Sequence, residues 1–248
     1  MILKQVNRIL SKRQALTLFF RASHGETFAL GNVVLHPLER RKILRISGND
    51  ASVFLQGLIT NDMRHFEEGA KSMYAMLLNN KGRVLYDTLI HKWEDEDTFL
   101  IECDKDIFVL LQKHLKLYKL RRQFDIKDVN HQLKVWALIS PVAYVPDTKI
   151  DPKSDINIFK DPRLTELGYR IIAAASLEGH DIAKTIDNNI LVKPNDNEYK
   201  YLRYMLGVSE GAEDLPPGSH FPLEVNCDYL HGVSFHKVKH GKIKVTQR

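Results

Sequence analysis

The chain has little cysteine: only Cys103 and Cys227 occur among 248 residues. Two cysteines this far apart provide neither a disulfide framework nor the paired spacing of a zinc site, and they indicate a thiol-reducing compartment. The sequence also has no apolar run near the ~20 residues that a membrane-spanning helix needs. It contains no zinc-peptidase motif, no phosphate-binding glycine loop and no nucleophile elbow, and its histidines are scattered. These absences argue against disulfide scaffolds, bound metal and the common hydrolase and kinase classes.

Acidic residues are scarce at both ends of the chain. The whole chain carries a net charge of +5, of which residues 1–31 contribute +4 and residues 237–248 contribute +5, so the body between them carries −4. Nucleic-acid binding needs a basic face on the folded body. We therefore expect no nucleic-acid partner, and the lack of a long apolar run gives no reason to expect a membrane partner.

The first 25 residues differ from the rest of the chain. They contain no acidic residue, and Leu3, Val6 and Leu10 fall on one helix face while Lys4 and Arg8 lie away from it. A basic, amphipathic N-terminus without acids is typical of a mitochondrial transit peptide. An ordinary N-terminal helix of the fold is the alternative. We predict a transit peptide over residues 1–25.

The body mixes strands and helices without a strict strand–helix–strand alternation, which favours an α+β fold. Strands are predicted over 33–35, 43–47, 73–78, 83–93, 98–103, 124–129, 133–140 and 168–174. Helices are predicted from 49 or 50 to about 60, from 104 or 106 to 122, over 177–188 and over 197–206. Residues 141–162 are polar and contain proline and aspartate, and we predict a loop there.

Charged residues cluster at the hairpin predicted between residues 73 and 93. Lys81, Gly82 and Arg83 lie at its tip, and alternation along the strand predicts that Arg83 and Asp87 share a face. Such a pair could hold a carboxylate or a heteroaromatic ring. A solvated charged hairpin is an equal alternative from the residues alone.

A second candidate is Glu224, which lies between Leu223 and Val225 and follows a double proline. A carboxylate in an apolar setting suits bidentate hydrogen bonding to the N–H groups of a pterin ring. A buried structural ion pair is the alternative. Cys227 is interpreted as a small core residue.

Several blocks of the body resemble a known family. The chain resembles the bacterial YgfZ and mitochondrial iron–sulfur cluster assembly family in FLQGLITND (54–62), NKGR (80–83), LYKLRR (117–122), RYMLGVSEG (203–211), DLPPG (214–218), FPLEVN (221–226) and GVSF (232–235). The last four blocks are similar to the mitochondrial branch. The resemblance covers about residues 32–237, nearly all of the body.

The resemblance implies the fold of the glycine-cleavage T-protein, a tetrahydrofolate-dependent aminomethyltransferase. That fold has intertwined lobes of mixed and antiparallel sheet around a folate-shaped cavity. The implied role is maturation of [4Fe–4S] proteins in the mitochondrial matrix alongside A-type assembly partners, with any iron–sulfur cluster held only transiently. A tetrahydrofolate-dependent aminomethyl or one-carbon transferase is the alternative, so whether the chain is an enzyme stays open.

The resemblance also carries the candidate site residues. Asp87 falls in the strand where the T-protein has a paired aspartate, but its neighbour here is Tyr86. Half of the carboxylate pair is missing, which favours an assembly factor over true aminomethyl transfer. Glu224 falls near the pterin-facing glutamate of the T-protein. The expected cofactor-binding set is Lys81, Gly82, Arg83, Asp87 and Glu224, with Asp87 the candidate catalytic residue.

The family pattern stops at Lys237. Relatives continue after Ser-Phe-x-Lys into Lys-Gly-Cys-Tyr-x-Gly-Gln-Glu and a C-terminal β-barrel. Here Val238 follows Lys237, and the segment from there to Arg248 has a positive net charge and no acidic residue. We therefore expect a transit peptide over 1–25, a folate-binding-like domain over 26–237, and a tail over 238–248 outside the family pattern, with the barrel and signature cysteine absent. A third hypothesis is that such a shortened product is inert, because a missing barrel would expose apolar surface.

Overall fold

The computed structural model describes residues 32–93, 97–140, 144–146 and 155–238. The predicted transit peptide over 1–25 and the tail beyond residue 238 lie outside the described residues. Among the described residues, every helix is too short or too polar to cross a membrane.

Ten strands form two five-stranded sheets. The strands are β1 Val34–Pro37, β2 Arg41–Ser47, β3 Ser72–Leu78, β4 Val84–Lys92, β5 Thr98–Asp104, β6 Asp125–Asp128, β7 Leu133–Ile139, β8 Ile156–Lys160, β9 Tyr169–Ala174 and β10 Leu191–Val192. The first sheet has the order β10-β1-β7-β9-β8 and the second the order β3-β4-β5-β2-β6. Only the β1–β10 pair is parallel among these strands. The chain leaves the first sheet after β1, builds the whole second sheet and returns at β7, so the two lobes are intertwined.

Helices cover the outer faces of the sheets and one edge of the space between them. They are α1 Ala51–Gln56, α2 Arg64–Glu67, α3 Phe108–Lys119, α4 Gly179–Ile186, α5 Asn197–Met205, α6 Gly211–Asp214 and α7 Phe235–Val238, with 3-10 turns at Thr165–Leu167 and Pro222–Val225. The α+β prediction is confirmed, since helices pack on two multi-stranded sheets whose strands are mostly antiparallel.

Three apolar clusters hold these layers together. The central one joins Leu89 of the second sheet to Ile172 of the first and to Leu202 of α5. A second packs Leu111 of α3 against the outer face of the second sheet. The third packs Ile182 of α4 against the outer face of the first sheet. Because each sheet buries both faces, a charged side chain that points between the sheets has little access to water.

Three sequence predictions need correction. The loop predicted over 141–162 is wrong for Ile156–Lys160, which forms β8, because Ile156 and Phe159 are buried and the strand pairs with β9. The helix predicted from Asn49 or Asp50 to about residue 60 ends at Gln56, and Ile59 pairs with Leu77 instead. The helix predicted from Asp104 or Asp106 begins at Phe108.

Candidate functional site

The hairpin tip is exposed and is built around one asparagine. The Asn79 Oδ1 atom accepts the backbone N–H groups of Lys81 and Arg83 at 2.9 and 3.0 Å. Gly82 adopts a φ of +76°, which suits a residue without a Cβ atom. The Arg83 guanidinium lies 4.5 Å from the ring centroid of Phe221 and donates to the Ser219 carbonyl. The Arg83 side chain therefore faces the segment that follows the double proline.

Asp87 faces a different part of the molecule, so the prediction that Arg83 and Asp87 form a pair on one face is wrong. The register of β3 and β4 shifts between Leu77 and Leu78. Such a bulge inverts the alternation of the strand. Asp87 consequently points between the two sheets and is 2% exposed.

The Asp87 carboxylate is held by the chain itself. Its Oδ1 atom accepts the Gly211 N–H at 3.1 Å, and its Oδ2 atom lies 3.6 Å from the Arg41 Nη1 atom. Burial raises the pKa of Asp87, and the nearby Arg41 guanidinium opposes that rise. A substrate amine would have to enter the space between the two sheets to reach this carboxylate.

Glu224 is exposed, so the apolar setting expected for it is wrong. It lies in the 3-10 turn Pro222–Val225, where its Oε2 atom accepts the Phe221 N–H at 2.8 Å and closes a capping box. The neighbouring Leu223 is also exposed, at 37%. Glu224 is therefore bonded to Phe221, the residue whose ring Arg83 contacts, and it does not share the buried setting of Asp87.

Glu210 is a buried carboxylate that the sequence analysis did not identify. Its Oε2 atom accepts hydrogen bonds from Arg163 and Arg170, each at 2.6 Å, and from the Tyr199 hydroxyl at 2.8 Å. Burial alone would raise the pKa of Glu210, but the surrounding arginines, Arg170 first, hold it well below its ordinary value. Glu210 stays ionised because three charge-assisted donors replace its hydration.

Glu102 has the same role on the second sheet. Its Oε1 atom accepts the Arg41 Nε–H at 2.7 Å and lies 3.3 Å from the Arg170 Nε atom, while its Oε2 atom lies 3.2 Å from the His91 Nε2 atom. Burial opposes ionisation, yet Arg170 and Arg41 lower the pKa of Glu102 to about 2. Arg170 therefore bridges a carboxylate on the second sheet and Glu210 in the C-terminal part of the chain.

Two further ion pairs extend this network. Arg163 donates to both oxygens of Asp161 at 3.0 and 2.8 Å, a bidentate geometry. Arg203 donates to Asp214 at 2.8 Å and to the Val208 carbonyl at 2.9 Å. The buried charge network is defined as Arg41, Asp87, Glu102, Asp161, Arg163, Arg170, Arg203 and Glu210, and the partly exposed Asp214 pairs with Arg203 at its edge.

Gly211 allows the C-terminal segment to pack closely against the buried charge network. Gly211 adopts a φ of +82°, and a Cβ atom there would lie 2.5 Å from the Asp104 Oδ2 atom. Only glycine places its N–H on Asp87 without a collision. A small cleft beside it, lined in part by Arg40, Arg41 and Arg203, has an interior volume of about 30 Å³, enough for one or two water molecules.

The two cysteines add no reactive centre. Both are buried, which confirms Cys227 as a core residue, and burial raises the pKa of each thiol, that of Cys227 to about 12. The described residues contain no group of three or more histidine, cysteine, aspartate or glutamate side chains able to hold a metal ion. The thiols therefore stay protonated and unreactive near neutral pH.

The structure divides the residues expected to bind tetrahydrofolate into two groups. Lys81, Gly82 and the half-buried Arg83 lie at the hairpin tip, and the exposed Glu224 lies in the 3-10 turn whose Phe221 ring Arg83 contacts. Asp87 is sealed in the buried charge network and does not fit the role of a proton-handling group for a bound folate. No aminomethyl-transfer step follows from this geometry.

Comparison with known proteins agrees with the geometry of the fold. Residues 32–155 match the family described as the GCVT N-terminal domain. The glycine cleavage system aminomethyltransferase T of Bartonella henselae superposes with a TM-score of 0.66 over 84% of this chain and 60% of that chain. At 16% identity, that likeness shows the fold alone.

Curated relatives are closer in sequence. The chain is 34% identical over 218 residues to the human "iron-sulfur cluster assembly factor IBA57, mitochondrial" and 32% identical over 219 residues to the protein of that name from mouse. Each alignment covers 81% of this chain. The chain spans 58% of the length of either relative.

Proposed function

The chain belongs to the family of the GCVT N-terminal domain, and from that premise we propose that it is an assembly factor for [4Fe–4S] proteins in the mitochondrial matrix. The observation that carries the proposal is the 34% identity, over 81% of this chain, to a mitochondrial protein named an iron–sulfur cluster assembly factor. The buried charge network supports it, since the candidate catalytic aspartate serves the fold.

The proposal is tested by depleting the full-length gene product in its own cells. Aconitase-type and lipoate-synthase-type [4Fe–4S] activities should fall while [2Fe–2S] activities are spared. Re-expression of the wild-type protein is the control and should restore the activities. Equal loss of both cluster classes would contradict the proposal.

The alternative is a tetrahydrofolate-dependent aminomethyl or one-carbon transferase. The specific observation in its favour is the aminomethyltransferase fold. Turnover of an aminomethyl donor by the purified chain, abolished in Asp87→Asn at unchanged melting temperature, would establish it. Loss of turnover together with folding would instead reflect the buried position of Asp87.

We place a folate-type ligand, as part of the same proposal, at Arg83 and Glu224 and not at Asp87. The exposed Glu224 carboxylate is bonded to the Phe221 backbone N–H, and the Phe221 ring lies under the Arg83 guanidinium, so this surface offers an acceptor and an aromatic ring to a heteroaromatic ligand that carries N–H donors. Calorimetry with tetrahydrofolate should show binding to the wild type that is weaker in Glu224→Gln. Binding unchanged by this substitution would remove Glu224 from the ligand site.

The proposed partners are A-type iron–sulfur assembly proteins, and the proposed domain boundaries remain those of the sequence analysis. A cluster passing through such a complex is cargo. Co-purification of the full-length gene product with a tagged A-type protein from matrix extract tests the pairing.

A further inference from the structure

Helix α3 exposes leucines that its own packing does not use. Its inner face buries Leu111 and Leu115 against the second sheet. Leu110 is 52% exposed, Leu117 is 72% exposed and Leu120 is 84% exposed. Single exposed apolar residues are common, but three on one short segment are a feature to explain.

These leucines lie together with lysines on the outer face. Leu110, Lys113 and Leu117 follow the three- and four-residue steps that place side chains on one helix face. Leu120 follows the last turn. The α3 outer face is defined here as Leu110, Lys113, Lys116, Leu117 and Leu120.

The charge along this segment of the chain has one sign. From Ile107 to Phe124 the chain has no acidic residue and five basic ones, namely Lys113, Lys116, Lys119, Arg121 and Arg122. None of the five forms an ion pair with another described residue. The nearest carboxylate before the stretch, Asp106, is bonded to Arg40 at 2.6 Å. Basic residues near the end of a helix complement its dipole, but that effect does not account for the exposed leucines.

Leu120 is kept at a backbone conformation that disfavours it. It has φ 49° and ψ −120°, a region suited to glycine. A leucine that is mostly exposed gains little by burial in return for this strain. Its presence is therefore not explained by the stability of the fold.

We propose that the α3 outer face is a docking surface for a partner protein whose contact surface is apolar and carries carboxylates. Leucines supply the contact area, and the unpaired lysines select the acidic partner. A second copy of this chain that docked through the same face does not match, because that face offers the same positive charge. A flat anionic membrane does not match well either, because the body between residues 32 and 236 carries −4 and would be repelled. The inference rests on this surface alone and is independent of the proposed function.

The test uses the full chain and a labelled synthetic helical peptide with leucine at positions i, i+3, i+4 and i+7 and glutamate elsewhere. Two matched peptides replace either every leucine by serine or every glutamate by lysine. Fluorescence anisotropy should show the leucine–glutamate peptide binding at least about tenfold more tightly than both matched peptides. Equal binding of the serine peptide would overturn the proposal, since charge alone would then explain it.

Variants locate the site. Leu120→Gly relieves backbone strain, so it should melt no lower than the wild type and yet weaken peptide binding at least about fivefold. The pair Lys113→Glu and Lys116→Glu should abolish binding, whereas Lys134→Glu and Lys184→Glu, exposed lysines on β7 and α4, make the same change in net charge and should leave it intact. Equal losses in the two charge-reversal pairs would contradict a local surface.

Co-sedimentation with vesicles of phosphatidylcholine, with and without cardiolipin, tests whether the α3 outer face binds a membrane. We expect Leu120→Gly to leave co-sedimentation with either kind of vesicle at the level of the wild-type chain. Strong binding to cardiolipin vesicles together with no binding of the leucine–glutamate peptide would overturn the proposal in favour of a membrane surface.

Discussion

The buried charge network and the α3 outer face use the same kinds of side chain in opposite ways. Between the sheets, each arginine lies against at least one carboxylate, because an unpaired buried charge would cost several kcal/mol. On α3 and in the residues just after it, five cations have no ion-pair partner among the described residues, and contact with water makes that inexpensive. Pairing in the first region is required by burial. The combination of unpaired cations and exposed leucines in the second is not required by the fold.

The largest expected effect comes from removing one charge in the buried network. Glu210→Gln keeps the shape of the side chain but leaves Arg163 and Arg170 without their shared carboxylate. Urea denaturation should show a loss of about 3–5 kcal/mol in the free energy of unfolding. The matched control is Glu213→Gln, whose exposed pair with Lys200 should contribute no more than about 1 kcal/mol. Similar losses in both variants would erase the contrast between buried and exposed pairs.

The buried charge network should stabilise the fold at neutral pH and lose part of that stabilisation in acid. The folded pKa of Glu102 is about 2, below its ordinary value of 4.5, so its contribution is present above pH ~4.5 and is lost as pH falls toward 2. The hydrogen bond from the Arg64 side chain also lowers the pKa of Asp62 to about 2, but this pair adds less to the slope because Arg64 is exposed and water screens the interaction. The free energy of unfolding should fall by a few kcal/mol over this window. Glu102→Gln should flatten the slope, and an unchanged slope would show that Glu102 is not depressed in this way.

A glycine substitution separates steric contact from backbone strain at the edge of the network. Gly211→Ala places a Cβ atom 2.5 Å from Asp104, while Gly207→Ala, at a similar positive φ of 70°, meets nothing nearer than 3.5 Å. Both should lose about 1 kcal/mol from backbone strain, and Gly211→Ala should lose about 1–2 kcal/mol more. Thermal melting of the two variants measures the difference. Equal destabilisation would mean that the Gly211 contact with Asp104 relaxes freely.

The smallest effect on stability is expected at the end of α3, where a substitution should stabilise the fold, in contrast to the destabilising substitutions above. Leu120→Gly should raise the free energy of unfolding by about 1 kcal/mol, because glycine adopts φ 49° and ψ −120° without strain. Urea denaturation against the wild type checks this. Leu117→Ser, exposed on regular helix, should change stability by about 0.5 kcal/mol or less. A clear loss of stability in Leu120→Gly would show that this leucine supports the fold after all.

Local pattern was enough for most of the elements. The hairpin around Asn79–Gly82 and the amphipathic pattern of α3 were predictable, since turn chemistry and apolar spacing are local properties. Strand β8 was missed because its residues lie in a polar segment, and the apolar partner that stabilises it is β9. The setting of Glu224 was misjudged because apolar neighbours in sequence do not imply burial in a 3-10 turn.

The candidate site was less accessible to sequence reasoning than the fold. Asp87 was identified, but its partners Arg41 and Gly211 lie 46 residues before and 124 residues after it, and no local spacing connects them. The signal that could have revealed the network is a charged residue inside an apolar strand. Arg170, which follows Tyr169 and precedes Ile171 and Ile172 in β9, is such a residue.

The sequence by itself determined the fold class, the order of most strands and helices, and the membership of a family, because these depend on residue patterns that persist along the chain. Only the tertiary structure decided what the charged residues do. It turned Asp87 inward through a bulge in β4, turned Glu224 outward on a 3-10 turn, and brought Glu210 to two arginines. The physical reason is that the ionisation and role of a side chain depend on its burial and its partners, and both are set by contacts between segments distant in the sequence.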